Sequence, residues 1–350
     1  STQSIANIGD FTLRTVLDPS WLLAGSPLAT LLGGLTAPTE IPQILAGIAE
    51  QLREDPAGAI AINVNTPVTP LCATNALQCA GDPFRYPMVD AFYGSEGDRE
   101  AVVYYDRDCA RISGHVWKPA GATGPLPTVV IENGSIQAPE PLYWWFAQTL
   151  VRNGYTVMSF DPRGQGRSDQ QTPLFQQGSN LNSAVFWEGL VDAIDFFRST
   201  PEVPYPHNAE CAGTYPTAVT AHNPYHHVQD RSRLGLAGHS LGATGVSVVQ
   251  SYGAPGAEPW PGLIDEQNPV DVIVAWDSLS APREGGEGVP AIVPRVPAMG
   301  QASEYGILGG PNTAPPDPEG HKRAYRGWVA AGLPVYQFTI RGSTHFEWSQ

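Results

Sequence analysis

The sequence predicts an α/β fold: a mostly parallel sheet with helices on both faces and an antiparallel hairpin at one edge. Three observations predict it. Beyond Pro125, short, continuously apolar runs alternate with runs of helical spacing, the pattern of parallel strands joined by crossover helices. Before it, Ala101–Tyr105 and Arg111–Trp117 are β-rich and separated only by Asp106–Ala110, as in a hairpin. One strand-to-helix junction carries Gly238-His239-Ser240-Leu241-Gly242, glycines flanking a serine at a sharp turn.

The elements follow in order. Residues 1–60 are expected to form an N-terminal extension packed on the core, with a helix-like run from Ile41 to Arg53. A flap over the active site is the alternative use of that segment. Residues 61–350 form the main domain. Thr128–Ile131 is apolar without interruption, as in a strand buried on both faces. Leu142, Trp145, Phe146, Thr149 and Leu150 recur at helical spacing until Asn153-Gly154 stops them. Tyr155–Phe160 is the next strand. Asn182 or Ser183 caps a helix bearing Phe186, Leu190, Ile194 and Phe197. Leu234–Ala237 is a strand, Leu241–Tyr252 a helix, and Val270–Trp276 a strand. Asp317-Pro318-Glu319 opens a helix closed by Gly332, and Val335–Ile340 is the last strand. Two loop insertions, near 201–230 and 278–297, break the rhythm and read as surface excursions near strand ends, where such sheets bind ligands. No internal repeat or low-complexity tract is present.

Composition excludes several function classes. The formal net charge of −15 repels phosphate backbones, so nucleic acid is not an expected partner, and an anionic membrane surface is disfavoured. No transmembrane segment is expected: the longest apolar stretch, Trp21–Leu35, is broken by Gly25, Pro27, Gly33 and Gly34. Cys72, Cys79, Cys109 and Cys211 make an even count, two of them in a turn-rich loop, which fits disulfides in a secreted protein. Four unpaired thiols in a cytosolic enzyme is the plainer alternative. Cys72 with Cys79 is the natural first pair and leaves Cys109 with Cys211. The start at Ser1 without methionine fits a processed chain.

The chemistry centres on Ser240. A serine hydroxyl is a poor nucleophile until a base removes its proton. His345 is the expected base, because it follows the last predicted strand in Ile340-Arg-Gly-Ser-Thr-His345. The other clustered histidines, His222, His226 and His227, lack a cysteine or carboxylate ligand set and read as surface residues rather than a metal site. The acid that orients the imidazole has two candidates. Glu304, after the next-to-last strand, is preferred on the chain order serine, acid, histidine, and Asp277, ending the strand Val270–Trp276, is the alternative. Oxyanion donors are expected at the Leu241 amide and in the turn after Ile131, with Ser135 first and Ile136 next. Trp144, Trp145, Trp187 and Trp276 could line an apolar acyl or aromatic pocket, although core packing explains tryptophans equally well.

With these residues on the page, the stretch from about Pro125 to His345 resembles the α/β-hydrolase superfamily, in its esterase and lipase branch. Asp161-Pro-Arg-Gly-Gln-Gly-Arg-Ser-Asp169 is similar to a turn of that superfamily whose charged groups brace loops beside the active site. Glu132-Asn133-Gly134 stands where many members have His-Gly, a departure in the oxyanion loop. Members usually continue with a helix after the histidine loop, so a further C-terminal piece is expected beyond Gln350. The resemblance implies serine-dependent hydrolysis of carboxylic esters through an acyl-enzyme, on a small-molecule or lipid-like substrate, with no cofactor or metal. Amidase, thioesterase or acyltransferase chemistry on the same framework is the alternative reading, and a non-catalytic binding protein a third. Oligomeric state is not encoded in these features.

Overall fold

The computed structural model describes residues 92–135, 138–178, 182–215, 217–277, 279–303 and 318–340, together with Ser343, His345, Trp348 and Ser349. The expected N-terminal extension, the Cys72–Cys79 pair, Ile136 and Glu304 lie outside the described residues.

Eight strands form one sheet in the order β1-β2-β4-β3-β5-β6-β7-β8. They are β1 (Gly97–Tyr105), β2 (Arg111–Pro119), β3 (Leu126–Glu132), β4 (Thr156–Asp161), β5 (Gln229–His239), β6 (Val270–Trp276), β7 (Ala298–Ser303) and β8 (Val335–Ile340). Only β2 runs against the others: it pairs antiparallel with β1 and β4, and every pairing from β4 to β8 is parallel. The expected edge hairpin is therefore present, and the sheet is that of an α/β-hydrolase fold.

Among the described residues the α-helices are α1 (Trp144–Arg152), α2 (Val185–Arg198), α3 (Pro206–Glu210), α4 (Leu241–Val249) and α5 (Pro318–Ala330). Strand side chains alternate between two cores. Val129, Ile131, Val157 and Trp276 pack with α1 through Trp144, Ala147 and Val151. Val130, Met158, Leu236 and Ile273 pack on the other side with Leu190, Ile194 and Phe197 of α2, Val246 and Val249 of α4, and Trp328 of α5. Burial on both faces is why Thr128–Ile131 of β3 reads as an unbroken apolar run.

Three segments add to the sequence reading. β7 is a full strand although its Ala-Met-Gly-Gln-Ala-Ser composition carries a weak strand signal; small residues suit it, since a Cβ on Gly300 would collide with the side chains of Gln337 and Leu279. The excursion near 201–230 begins after α2 and climbs the free edge of β1. Thr220 bonds the backbone of Val103, Asn208 caps the Tyr105 amide, and Cys211 is disulfide-bonded to Cys109, the pairing expected by elimination. The insertion near 278–297 is the β6–β7 crossover without a helix. It packs on the end of α4, where Gln250 and Ser251 bond Arg295 and Val293.

Candidate active site

Ser240 caps the start of α4 at φ 57° and ψ −119°, a region that non-glycine residues rarely adopt. Such strain persists only where the surroundings enforce it. The Ser240 amide bonds the Trp276 carbonyl at 2.9 Å. A Cβ on Gly238 would lie 2.2 Å from the Gly242 carbonyl oxygen, and one on Gly242 would lie 2.3 Å from that of Asn133. The glycines of the motif are thus demanded by backbone against backbone, and the serine is thrust to the carboxyl end of the sheet.

His345 reaches that serine from the loop after β8. Its Nε2 lies 3.0 Å from Ser240 Oγ, and its Nδ1 lies 2.6 Å from Oδ2 of Asp277. A carboxylate only accepts, so Nδ1 carries the proton and Nε2 is left to take that of the serine. Burial alone would raise the Asp277 carboxyl, but the bonds from His345 and from the Ser303 amide, 2.9 Å away, overcome it and hold the group below its ordinary value. Of the two candidate acids, the structure brings Asp277 to the imidazole, whereas the preferred one, Glu304, is not among the described residues. Asp277 also sits at positive φ, 46°, at the first bend after β6.

The Leu241 amide opens α4, among the helix-start N–H groups that have no partner within the helix. Across from it, the loop expected to supply the second oxyanion donor departs from β3 at Asn133. A Cβ on Gly134 would be 3.4 Å from Ser240 Cβ, so this loop runs beside the serine, with half-buried Ser135 next in the chain. Gly134 itself is no free donor: its N–H is given to the Tyr143 hydroxyl at 2.9 Å.

The Asp161–Asp169 turn holds this loop in place. Gln165 donates to the Gly134 carbonyl at 2.8 Å and accepts from the Ala138 amide at 3.1 Å, spanning the loop end to end. Asp161 accepts from the Asn133 side chain and the Glu140 amide, and Gly166 is glycine because a Cβ would strike that carboxylate. Arg167 and His115 meet Glu140 at 2.6 and 2.5 Å with all three buried. Burial would raise the Glu140 carboxyl, yet these partners and Ser159 hold it below its usual value. Arg163 pairs with Asp106 at 2.8 Å, and Asp169 with Arg111, carrying the bracing back to the β1–β2 hairpin.

The remaining candidates separate cleanly. Trp144, Trp187 and Trp276 are core residues, 4%, 6% and 1% exposed, and cannot line an open pocket. Trp145 is half-buried and donates to the Trp348 carbonyl beside His239. His222, His226 and His227 touch through their rings, and no group of three metal-binding side chains occurs among the described residues. No helix among them is long and apolar enough to cross a membrane. Tyr143, His239 and Gln165 were not singled out from the sequence. His239 inside the glycine motif and Gln165 inside the Asp161–Asp169 turn carried a positional hint, and Tyr143 carried none.

No family profile matches this chain, and no curated protein does. Among solved structures it is similar to a protein of Klebsiella pneumoniae subsp. pneumoniae provisionally named a dienelactone hydrolase, at 14% identity and TM-score 0.41, over 71% of this chain and 87% of that one. A dienelactone hydrolase-like promiscuous phosphotriesterase from metagenomic libraries aligns at 14% identity and 0.41, over 72% and 84%. An acylaminoacyl peptidase of Pyrococcus horikoshii aligns at 11% identity and 0.44, over 74% of this chain but 39% of that one. The fold itself is defined by the strand order and the glycine-flanked turn, independently of these likenesses.

Proposed function

We propose that this protein is a serine hydrolase that cleaves carboxylic esters through an acyl-enzyme. The observation that carries the reading is the continuous Ser240–His345–Asp277 hydrogen-bond chain at 3.0 and 2.6 Å, with the serine on a strained turn at a helix start. In this reading His345 accepts the serine proton as Oγ attacks the ester carbonyl, and Asp277 balances the resulting imidazolium. The oxyanion is met by the Leu241 amide and, across the site, by the Ser135 amide. Collapse of the tetrahedral species expels the alcohol, protonated by His345, and leaves the acyl group on Ser240. Water activated by the same imidazole then releases the acid. The Cys109–Cys211 disulfide supports an exported protein, since such bonds persist in oxidising compartments.

The test is a panel of p-nitrophenyl esters from short to long acyl chains, with matched amides and thioesters, together with labelling by an organophosphonate. Ester turnover and a covalent adduct on Ser240, both lost in Ser240→Ala, are the expected results. Turnover undiminished in that variant overturns the reading.

A further inference from the structure

His239 stands between three pieces of the site. It is 2% exposed, its Nδ1 lies 2.8 Å from the Tyr143 hydroxyl, and its Nε2 lies 2.8 Å from the backbone carbonyl of His345. The directions of these bonds are fixed by their ends. The His345 carbonyl can only accept, so Nε2 of His239 carries the proton and Nδ1 accepts. The Tyr143 hydroxyl therefore donates to Nδ1, and its oxygen accepts the N–H of Gly134 at 2.9 Å. The result is one unbroken relay: Gly134 amide to Tyr143, Tyr143 to His239, His239 to His345.

We propose that His239 is a positioning residue whose relay with Tyr143 clasps the oxyanion loop and the His345 loop together around Ser240. The inference rests on the serine-hydrolase reading but makes its own demand. The His345 imidazole comes from a loop, and its alignment depends on where its backbone is held. The bond to its carbonyl is a tether from the very turn that carries the serine. Ring centroids of His239 and His345 lie 4.7 Å apart, so a shift of one ring moves the other. At the far end the relay occupies the Gly134 amide, which leaves the following backbone, at Ser135, to serve the oxyanion. Burial, and then the neighbouring His345, push His239 down to about 3, so the neutral form that the relay needs is the one present at working pH.

The experiment compares His239→Asn, His239→Gln and Tyr143→Phe with the wild type, reading kcat and KM separately and the far-downfield Nδ1–H resonance of His345 by proton NMR. A glutamine amide reaches the place of Nε2 and keeps the tether; an asparagine amide ends near Nδ1 and does not. His239→Asn is expected to lose about 100-fold in kcat with KM little changed, and to weaken the resonance, as displacement of a catalytic group by about an ångström does. His239→Gln is expected to retain kcat within about fivefold, the size of one neutral hydrogen bond. A folded His239→Asn with wild-type kcat and resonance overturns the clasp, and so does an equal loss in the Gln and Asn variants. If His239→Asn does not fold, Tyr143→Phe decides: an unchanged resonance and kcat there reject the relay. Absence of ester turnover and phosphonate labelling in the wild type sinks the ester reading instead, while the resonance comparison still judges the clasp.

Discussion

One oxygen of Asp277 meets His345 Nδ1 at 2.6 Å while the other accepts the Ser303 amide at 2.9 Å, so the carboxylate is held between the ends of β6 and β7 before it orients anything. An amide in its place would keep the Ser303 bond but could present N–H to Nδ1 and favour the wrong imidazole tautomer. Asp277→Asn is therefore expected to lower kcat about 10⁴-fold with the fold intact. Glu304→Gln is expected to leave kcat within about threefold, as an acid outside the Ser240–His345–Asp277 hydrogen-bond chain would. Steady-state kinetics on one p-nitrophenyl ester separates the two, and the reverse ranking of these variants would return the acid's role to Glu304.

Ser240 and His345 share a 3.0 Å bond, so in the proposed mechanism they act as one unit. Removing either stops proton transfer from the hydroxyl, so little remains for the second substitution to remove. Ser240→Ala and His345→Ala are each expected to cost about 10⁴-fold or more in kcat, and the double variant no more than the worse single one. Additive losses in the double variant would show that the two residues work separately.

Much of this was legible in the chain because it is local. Val270–Trp276 and Val335–Ile340 match β6 and β8 residue for residue, because β-branched and aromatic residues mark both as strands even where their side chains are exposed, as along β8. The serine turn was legible because strand, glycine, serine, glycine and helix are consecutive. The choice between Asp277 and Glu304 was not. Both follow strands in the sequence, and no sequence signal tells that the bend at Asp277, at positive φ, carries its carboxylate to the imidazole. Nor could the relay be read, because Tyr143 and His239 are 96 positions apart and no spacing rule joins them. The tryptophans were left open for a related reason: composition cannot tell a pocket wall from the core, and Trp276 at 1% exposure faces the core.

Gly242 faces the carbonyl oxygens of Asn133 and Glu132, 2.3 and 2.7 Å from where a Cβ would stand. These are backbone atoms of the strand end that bears the oxyanion loop, and they cannot rotate away. Gly242→Ala is expected to destabilise the fold by about 1–3 kcal/mol, the range for forced overpacking. It should also lower kcat by displacing the Asn133–Ser135 loop. Urea unfolding beside ester kinetics checks both, and a midpoint equal to that of the wild type would mean that the turn is looser than this geometry.

The Cys109–Cys211 bridge closes a loop of 102 residues between the β1–β2 turn and the excursion after α2. Loops of that length lose much freedom in the unfolded chain when closed, and a native bridge of this kind stabilises by about 2–5 kcal/mol. Cys109→Ser is expected to lower the urea midpoint accordingly. Because the bridge lies with the β1–β2 edge and not at Ser240, kcat at 25 °C should stay within about threefold while the protein remains folded. Identical midpoints with and without the bridge would show that the excursion is held by its non-covalent contacts alone, among them the hydrogen bonds to Val103, Tyr105 and Arg111.

The same histidine that clasps the site should write a signature into the acid stability of the whole protein. Burial and the adjacent His345 lower His239 to about 3, whereas an unfolded histidine titrates near its ordinary 6.5. Between those values the unfolded chain binds a proton that the native state does not, so stability rises with pH across the window and is lost on acidification from 6.5 toward 3. The slope for one such proton is about 1.4 kcal/mol per pH unit. Asp106 and Asp161 act in the opposite sense. Burial raises each to about 7, so their share of stability is complete below the unfolded value of 3.8 and is lost as pH rises toward 7. Those carboxylates are common to the wild type and to His239→Gln, so the difference between the two unfolding free energies isolates the histidine. Denaturant unfolding from pH 4 to 8 is expected to show the wild type losing ground to His239→Gln only below about 6.5. A difference that stays constant across that range would mean that His239 titrates in the native state as it does in the unfolded chain, so that the fold does not hold it in the neutral form the relay requires.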